Sequence, residues 1–282
     1  MSIQWFPGHM TRAKREMEEK MKQVDMIIEL RDARVVDSSR NPMIDTMSKE
    51  KPRVIVLTKI DKANPIITEQ WIKLLQEEGN VVIAFDLLKD KIKNPVIQAS
   101  KLAMQEKLER MKRRGIRPRA IRAMVVGIPN VGKSTFINQL LGKKVVETAN
   151  RPGVTRSLKT IKIDKELELL DTPGILWPKF ENSVTGIHLA LTGAINDQIL
   201  PFDEIIQYAI KHLLELDPNV FKNSYGSDAV ETNALLEELG RKRGFLLSGN
   251  QVDIEKTQLS FLKDLRDDKL IRVSWDVPDE SI

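Results

Sequence analysis

A chain of 282 residues, 41% apolar and 30% charged, has material for one sizeable core and a small second domain, and need not be disordered. It has no cysteine, which excludes disulfides and thiolate metal sites, and its three histidines (His9, His188, His212) stand too far apart for metal-ligand spacing. The net charge of +5 is modest, the N-terminus lacks an apolar leader and no run reaches membrane-spanning length, so a reducing cytoplasm and no membrane partner are expected.

In chain order, apolar patterning predicts a helix over 11–22, a strand over 24–30, a short helix over 41–48, a strand over 53–57 and a helix over 66–78. A strand over 81–85 and a helix over 95–111 follow, the latter with Asn94 as cap, Pro95 at its first position and Gly115 past its end. Then come a strand over 123–126, a helix from Lys133 toward Leu141, and a hairpin of 160–163 with 166–170 turning at Asp164-Lys165. Strands alternating with helices argue for an α/β fold, with a mostly parallel sheet whose ligands gather at the strands' carboxyl ends. Beyond Pro178 helices dominate, at 204–216, at 232–239 ending on Gly240, and at 254–265. The spacing of Ile205, Ile206, Ala209, Ile210 and Leu213 marks a core stripe, and no catalytic cluster accompanies it.

Residues 127–134 read Gly-Ile-Pro-Asn-Val-Gly-Lys-Ser, between a strand and a helix. That is the P-loop pattern, in which backbone N–H groups curl around a phosphate, Lys133 reaches the terminal phosphates and Ser134 holds Mg²⁺. The helix beginning at Lys133 points its positive end at the same anion. Asn130, Val131, Gly132 and Thr135 complete the phosphate-binding stretch; a glycine turn without a ligand is the plainer alternative. Thr58-Lys59-Ile60-Asp61 ends the strand 53–57. Asp61 there can accept from N1–H and the 2-amino group of guanine, a donor pair that adenine lacks, and Lys59 can lay its stem along the base. Initiation of the following helix is the alternative use of Asp61. Asp171, at the end of 167–170, can hold Mg²⁺ through water, and Gly174 can offer its N–H to a γ-phosphate. Thr155, in a loop after the P-loop helix, is the natural second hydroxyl for the metal and the sensor of the γ-phosphate.

These pieces resemble the translation-factor-like GTPases, except that the base motif (58–61) precedes the P-loop, as in circularly permuted GTPases. Within that group, Trp5-Phe6-Pro7-Gly8-His9-Met10, Asp32-Ala33-Arg34, Ser39-Arg40-Asn41-Pro42, Ile128-Pro129-Asn130 and Asp171-Thr172-Pro173-Gly174-Ile175-Leu176-Trp177-Pro178 are similar to the motifs of the ribosome biogenesis GTPase A family. The resemblance implies a circularly permuted P-loop GTPase domain over 1–178 and a helical domain over 179–282 that docks RNA or the ribosome. It implies hydrolysis of GTP to GDP and phosphate in late assembly of the large (50S) subunit, stimulated by the particle and driving release, by a monomer. It further implies K⁺ at Asn130, bridging the phosphates in place of an arginine finger; a turn residue chosen for its backbone tolerance is the alternative.

Permutation places the helix that normally follows the Asp-Xaa-Xaa-Gly loop at the very start of the chain. The cut therefore falls inside the second switch, and residues just before Thr11 are expected near those just after Gly174. Position 175, where many such enzymes carry a water-orienting glutamine, is Ile175, followed by Leu176. His9, two residues before the expected helix, is the candidate to orient the attacking water, and the family resemblance points to the same residue. Anchoring of the N-terminus by Trp5, Phe6 and His9 is the alternative.

Two positions depart from the pattern. Thr58 replaces the commoner asparagine, which should keep guanine specificity with looser bracing of the loop. The segment 84–88 offers no Ser-Ala-Lys-like base backing, and Asp86 is expected to cap its turn beside the nucleotide. Eight cations (Lys107, Arg110, Lys112, Arg113, Arg114, Arg117, Arg119 and Arg122) fall within sixteen residues, more than helix-end capping requires, so contact with an RNA phosphate backbone is expected. Two other functions fit a P-loop: a small-molecule kinase, which the guanine motif opposes, and an RNA-binding nucleotide-dependent scaffold with little hydrolysis.

Overall fold

The computed structural model describes residues 8–48, 51–117, 119–144, 159–172, 176–177, 180, 182–197 and 201–278, with side chains from residue 15 onward and without that of residue 159. By internal contacts the described residues form two compact units, one up to Leu189 together with those from Ser274 onward, the other Ala190–Val273. The division expected at 178/179 thus moves, because residues 182–189 and the last described residues belong with the first unit.

That unit is built on six strands, β1 (Met26–Asp32), β2 (Arg53–Thr58), β3 (Val81–Phe85), β4 (Ile121–Val126), β5 (Lys159–Lys162) and β6 (Leu167–Asp171). Their order across the sheet is β3-β2-β1-β4-β6-β5, parallel throughout except for β5 against β6. The connecting helices are α1 (Gly8–Met21), α2 (Pro42–Ser48), α3 (Pro65–Glu77), α4 (Lys93–Ala103), α5 (Gln105–Arg113) and α6 (Lys133–Leu141). One sheet face seats Ile27, Met124 and Val126 against Met17 and Met21 of α1 and Ile44 of α2, and Ile55, Leu57 and Val82 against Trp71 and Leu75 of α3. On the opposite face Ile28, Leu30, Val54, Val56 and Val125 are equally buried, with α4 packed on β2 and β3. Burial on both sides explains the near-continuous apolar runs of β1, β2 and β4.

Most elements fall within two residues of expectation, and the larger differences have physical causes. Strand β1 runs on to Asp32 because its charges are paired: Arg31 forks onto Glu29, two residues away on the same face, at 3.0 and 3.2 Å, and Arg53 adds a contact to Glu29 at 2.9 Å. Helix α1 begins at Gly8, so His9 lies within its first turn instead of two residues ahead. The single helix expected over 95–111 is two helices parted at Met104, which is buried while α5 buries none of its residues. Asn94 is not the cap of α4; Ile92 holds that position without a side-chain hydrogen bond, and Pro95 is tolerated in a first turn whose N–H groups have no partner within the helix.

The second unit is helical: the end of α7 (Ser183–Leu191), α8 (Phe202–Leu216), α9 (Val220–Tyr225), α10 (Thr232–Lys242) and α11 (Ile254–Arg266). Gly240, expected to terminate α10, lies inside it. A Cβ there would come within 2.2 Å of Val252 Cγ1 and 2.7 Å of Thr257 Oγ1, so the glycine serves close packing and not chain reversal. Asp264 is buried among Arg243, Lys269 (3.0 Å) and Tyr225 (3.1 Å). Burial alone would raise its carboxyl, but the hydrogen bonds from Arg243 and Lys269 hold it below the ordinary aspartate value.

Candidate nucleotide-binding site

The five parallel strands end at Asp32, Thr58, Phe85, Val126 and Asp171, so the motif residues that follow them gather along one edge of the sheet. Val126 leads into Gly127, with φ +154°, where a Cβ would lie 2.8 Å from the Leu30 carbonyl oxygen; only glycine lets the loop pass so close to β1. Asn130 adopts the left-handed conformation (φ 58°), as does Gly132 (φ 105°) immediately before α6. Asn130 therefore does have the backbone role that a turn residue would have.

Lys133 is buried, and its ammonium donates to the carbonyls of Gly127 (3.0 Å) and Ile128 (2.8 Å), which places the charge inside the ring of the loop. Burial pushes Lys133 down to about 8, against the pull of the Asp171 carboxylate. Ser134 and Thr135 sit half-buried in the first turn of α6, Val131 is buried, and Asp171 is 2% exposed. A serine hydroxyl and a buried carboxylate make an all-oxygen donor set of the kind Mg²⁺ prefers. Next to Asp171, Thr172 Oγ1 donates to the Val125 carbonyl at 2.6 Å and fixes the strand end against β4.

The base motif is tied to the P-loop directly. The hydroxyl of buried Thr58 donates to the Val131 carbonyl at 2.7 Å, with the Arg31 carbonyl at 3.2 Å, so threonine braces the loop more than its short side chain suggested. Lys59, in the left-handed conformation, places Nζ 3.0 Å from Asp32 Oδ2. Asp32 also takes a two-pronged contact from Arg34, at 3.0 and 2.8 Å. Burial works to raise the Asp32 carboxyl, but Arg34 and Lys59 together outweigh it and hold the group well below the usual carboxylate range. This clamp carried no assigned role in the sequence; its signals were the Asp32-Ala33-Arg34 motif and a run of charges closing an apolar strand.

Asp61 lies half-buried in the turn after Lys59, and the cap of α3 is Asn64, whose side chain accepts from the N–H groups of Ile66 and Ile67. Helix initiation therefore does not account for Asp61. Asp86 caps its turn as expected, accepting from Leu88 N–H at 3.0 Å and from Lys89 at 3.1 Å. The neighbouring Leu87 carbonyl accepts from Gln139 of α6 at 2.8 Å, so 85–88 abuts the P-loop helix. Of the remaining candidates, Thr155 and Gly174 lie outside the described residues, as does the meeting of the chain start with the residues after Gly174; for His9 only the backbone position in α1 is described. Leu176 is fully buried.

The run of eight cations divides in two. Lys107 and Arg119 bind Asp25 at 2.9 and 2.8 Å, the Arg122 N–H donates to the same carboxylate at 3.0 Å, and the Arg122 guanidinium lies 3.4 Å from Glu168. These three tie the two ends of the run to the start of β1 and to β6. Arg110, Lys112, Arg113, Arg114 and Arg117 are exposed on and after α5. Among the described residues no group of acidic and histidine side chains suits a metal by itself, and no helix is long and apolar enough to cross a membrane.

A family model described as 50S ribosome-binding GTPase matches residues 122–221. The protein called Ribosome biogenesis GTPase A in Priestia megaterium is 46% identical over 284 residues, covering 100% of this chain and 99% of its own. Its counterpart in Bacillus licheniformis is 45% identical, with 99% and 100% covered. The crystal structure of GNP-bound YlqF from T. maritima superposes with a TM-score of 0.66 at 26% identity, covering 95% of this chain and 99% of that one. The strand order, the base motif placed ahead of the P-loop and this end-to-end similarity have one reading: the chain belongs to the ribosome biogenesis GTPase A family of circularly permuted P-loop GTPases.

Proposed function

We propose that this protein is a cytoplasmic GTP hydrolase that binds the large ribosomal subunit through its rRNA late in assembly, is stimulated by the particle, and leaves it as the GDP form. The observation that supports one nucleotide site is the bond from Thr58 to Val131, which fixes the segment carrying Asp61 to the phosphate loop; family membership supports guanine. Family membership carries the particle. The exposed cations of α5 and its tail are the surface for the rRNA backbone, and their contact should weaken with salt. Sedimentation with immature and mature large subunits tests this reading. Co-sedimentation with immature particles in a non-hydrolysable GTP analogue, lost in GDP, is expected; binding indifferent to the nucleotide would refute it.

Lys133 and the P-loop N–H groups hold the phosphates, Asp61 reads the base, and Lys59 and Asp86 line its surroundings. Family membership implies Mg²⁺, and Ser134, Thr155 and Asp171 are the groups that would hold it; the ion would supply positive charge to offset that of the phosphates. His9 orients the water. His9→Ala should leave GDP affinity unchanged and slow particle-stimulated hydrolysis by about 10²-fold, the lower end for a positioned proton-transfer or orienting group. Single-turnover hydrolysis on the particle measures this, and unchanged turnover would remove His9 from the mechanism. Asn130 is the candidate K⁺ ligand. Hydrolysis should then be faster in K⁺ than in Na⁺ buffer at equal ionic strength, and equal rates would leave Asn130 its backbone role alone.

A further inference from the structure

Long-range hydrogen bonds concentrate on a short segment near the end of the chain. After the helical unit, residues 274–276 return to the first unit. Ser274 Oγ accepts from Asn64 N–H at 3.1 Å, Trp275 N–H donates to the Arg34 carbonyl at 2.7 Å, and the Trp71 indole N–H donates to the Asp276 carbonyl at 3.1 Å. The Asp276 carboxylate takes three contacts: Ser38 N–H at 2.6 Å, Ser38 Oγ at 2.8 Å and His188 Nδ1 at 2.6 Å. His188, Ser38, Trp275 and Ser274 are all buried.

The partners of this segment bracket one loop. Asn64 caps α3 three residues after Asp61, and Trp71 lies on the same helix. Arg34 holds Asp32, which in turn holds Lys59. Residues 274–276 thus grip the guanine-reading loop from its helix end and from the loop after β1, without a bond to Thr58, Lys59 or Asp61 themselves.

We propose that 274–276 is a strap that positions the guanine-reading loop, and that Asp276 is its positioning residue. The proposal rests on the reading of Asp61 as the guanine acceptor. Asp276 acts through the loops around the site, so its loss should act on base recognition and leave the hydrolytic step unaltered.

The test compares the full-length protein with Asp276→Ala, Asp276→Asn and Ser38→Ala by titration with GDP and with IDP, which lacks the 2-amino group. Two or three lost hydrogen bonds should lower GDP affinity about tenfold in Asp276→Ala and narrow the GDP-to-IDP affinity ratio. Particle-stimulated kcat at saturating GTP should be unchanged while KM rises. Asp276→Asn, which keeps an acceptor for Ser38 N–H, should recover part of the loss. Ser38→Ala, which removes a single hydroxyl from the cluster, should shift the ratio in the same direction and less; it keeps the test open if Asp276→Ala does not fold. Equal weakening of GDP and IDP, or an unchanged ratio in a folded variant, would overturn the strap. Asp61→Asn measured alongside separates the two readings: if it too leaves GDP affinity untouched, the guanine reading itself has failed.

Discussion

Asp61→Asn should turn a guanine-binding protein into one that prefers xanthine. The carboxylate of Asp61 has two acceptor oxygens for the N1–H and 2-amino donors of guanine. An asparagine amide keeps one acceptor and offers a donor in place of the other, which matches the N1–H and 2-carbonyl of xanthine. Loss of one charge-assisted bond and an opposed donor pair cost about 3–6 kcal/mol together, or roughly 10²–10⁴-fold in GTP affinity. XTP affinity should rise, and because the loop is braced from Thr58 to Val131 and not through Asp61, the fold should be unaltered. Competition titrations with GTP, XTP and ATP measure the change. A variant that still prefers GTP would remove Asp61 from base recognition, and displacement of GTP by ATP from the unaltered protein would favour a kinase.

Asp32→Ala should be the most damaging single change to the stability of the first unit. Asp32 is 1% exposed and is the shared partner of Arg34 and Lys59. Its removal strands buried positive charge, a class of change that costs about 3–5 kcal/mol, a large part of the margin of an ordinary domain. Urea unfolding followed by tryptophan fluorescence should show the midpoint fall with little change of slope, and Lys59 should lose its fixed place beside the base. Asp32→Asn, which keeps an oxygen toward Arg34, should fall between the two. The pH dependence has a definite sign. The folded carboxyl is held below its ordinary value of 3.8, so its contribution is present above that value and is lost as pH falls below it. The unaltered protein should therefore lose part of its advantage over Asp32→Ala in that acid range. An advantage constant with pH would show that the charge of Asp32 is not what matters.

What could be read from the sequence was what is local. Gly127 to Ser134 needs only a strand, a loop and a helix in succession, and Asp61 and Asp171 each sit at the end of a clear apolar run. What could not be read depends on tertiary neighbours. Gly240 looked like a helix stop because local pattern cannot distinguish a chain reversal from a place where Val252 packs against backbone. The break at Met104 follows from burying that one side chain, and the helical periodicity passes through it unbroken. Asp25 draws two cations and the Arg122 backbone N–H from a run that looked uniformly basic, across more than eighty residues of chain. Thr58 was read as the weaker substitute for asparagine because its partner, the Val131 carbonyl, lies on a loop 73 residues away.

The strand order also bears on how the chain matures while it is being made. Strand β1 lies between β2, which follows it closely, and β4, which is translated much later. A nascent chain can form β1, β2 and β3 while the side of β1 that will meet Met124 and Val125 still offers unpaired N–H and carbonyl groups. Such an open, apolar border invites pairing with other chains until Ile121–Val126 leaves the exit tunnel and covers it. Placing β1 ahead of β4 in the chain therefore leaves this border open until most of the first unit has been made.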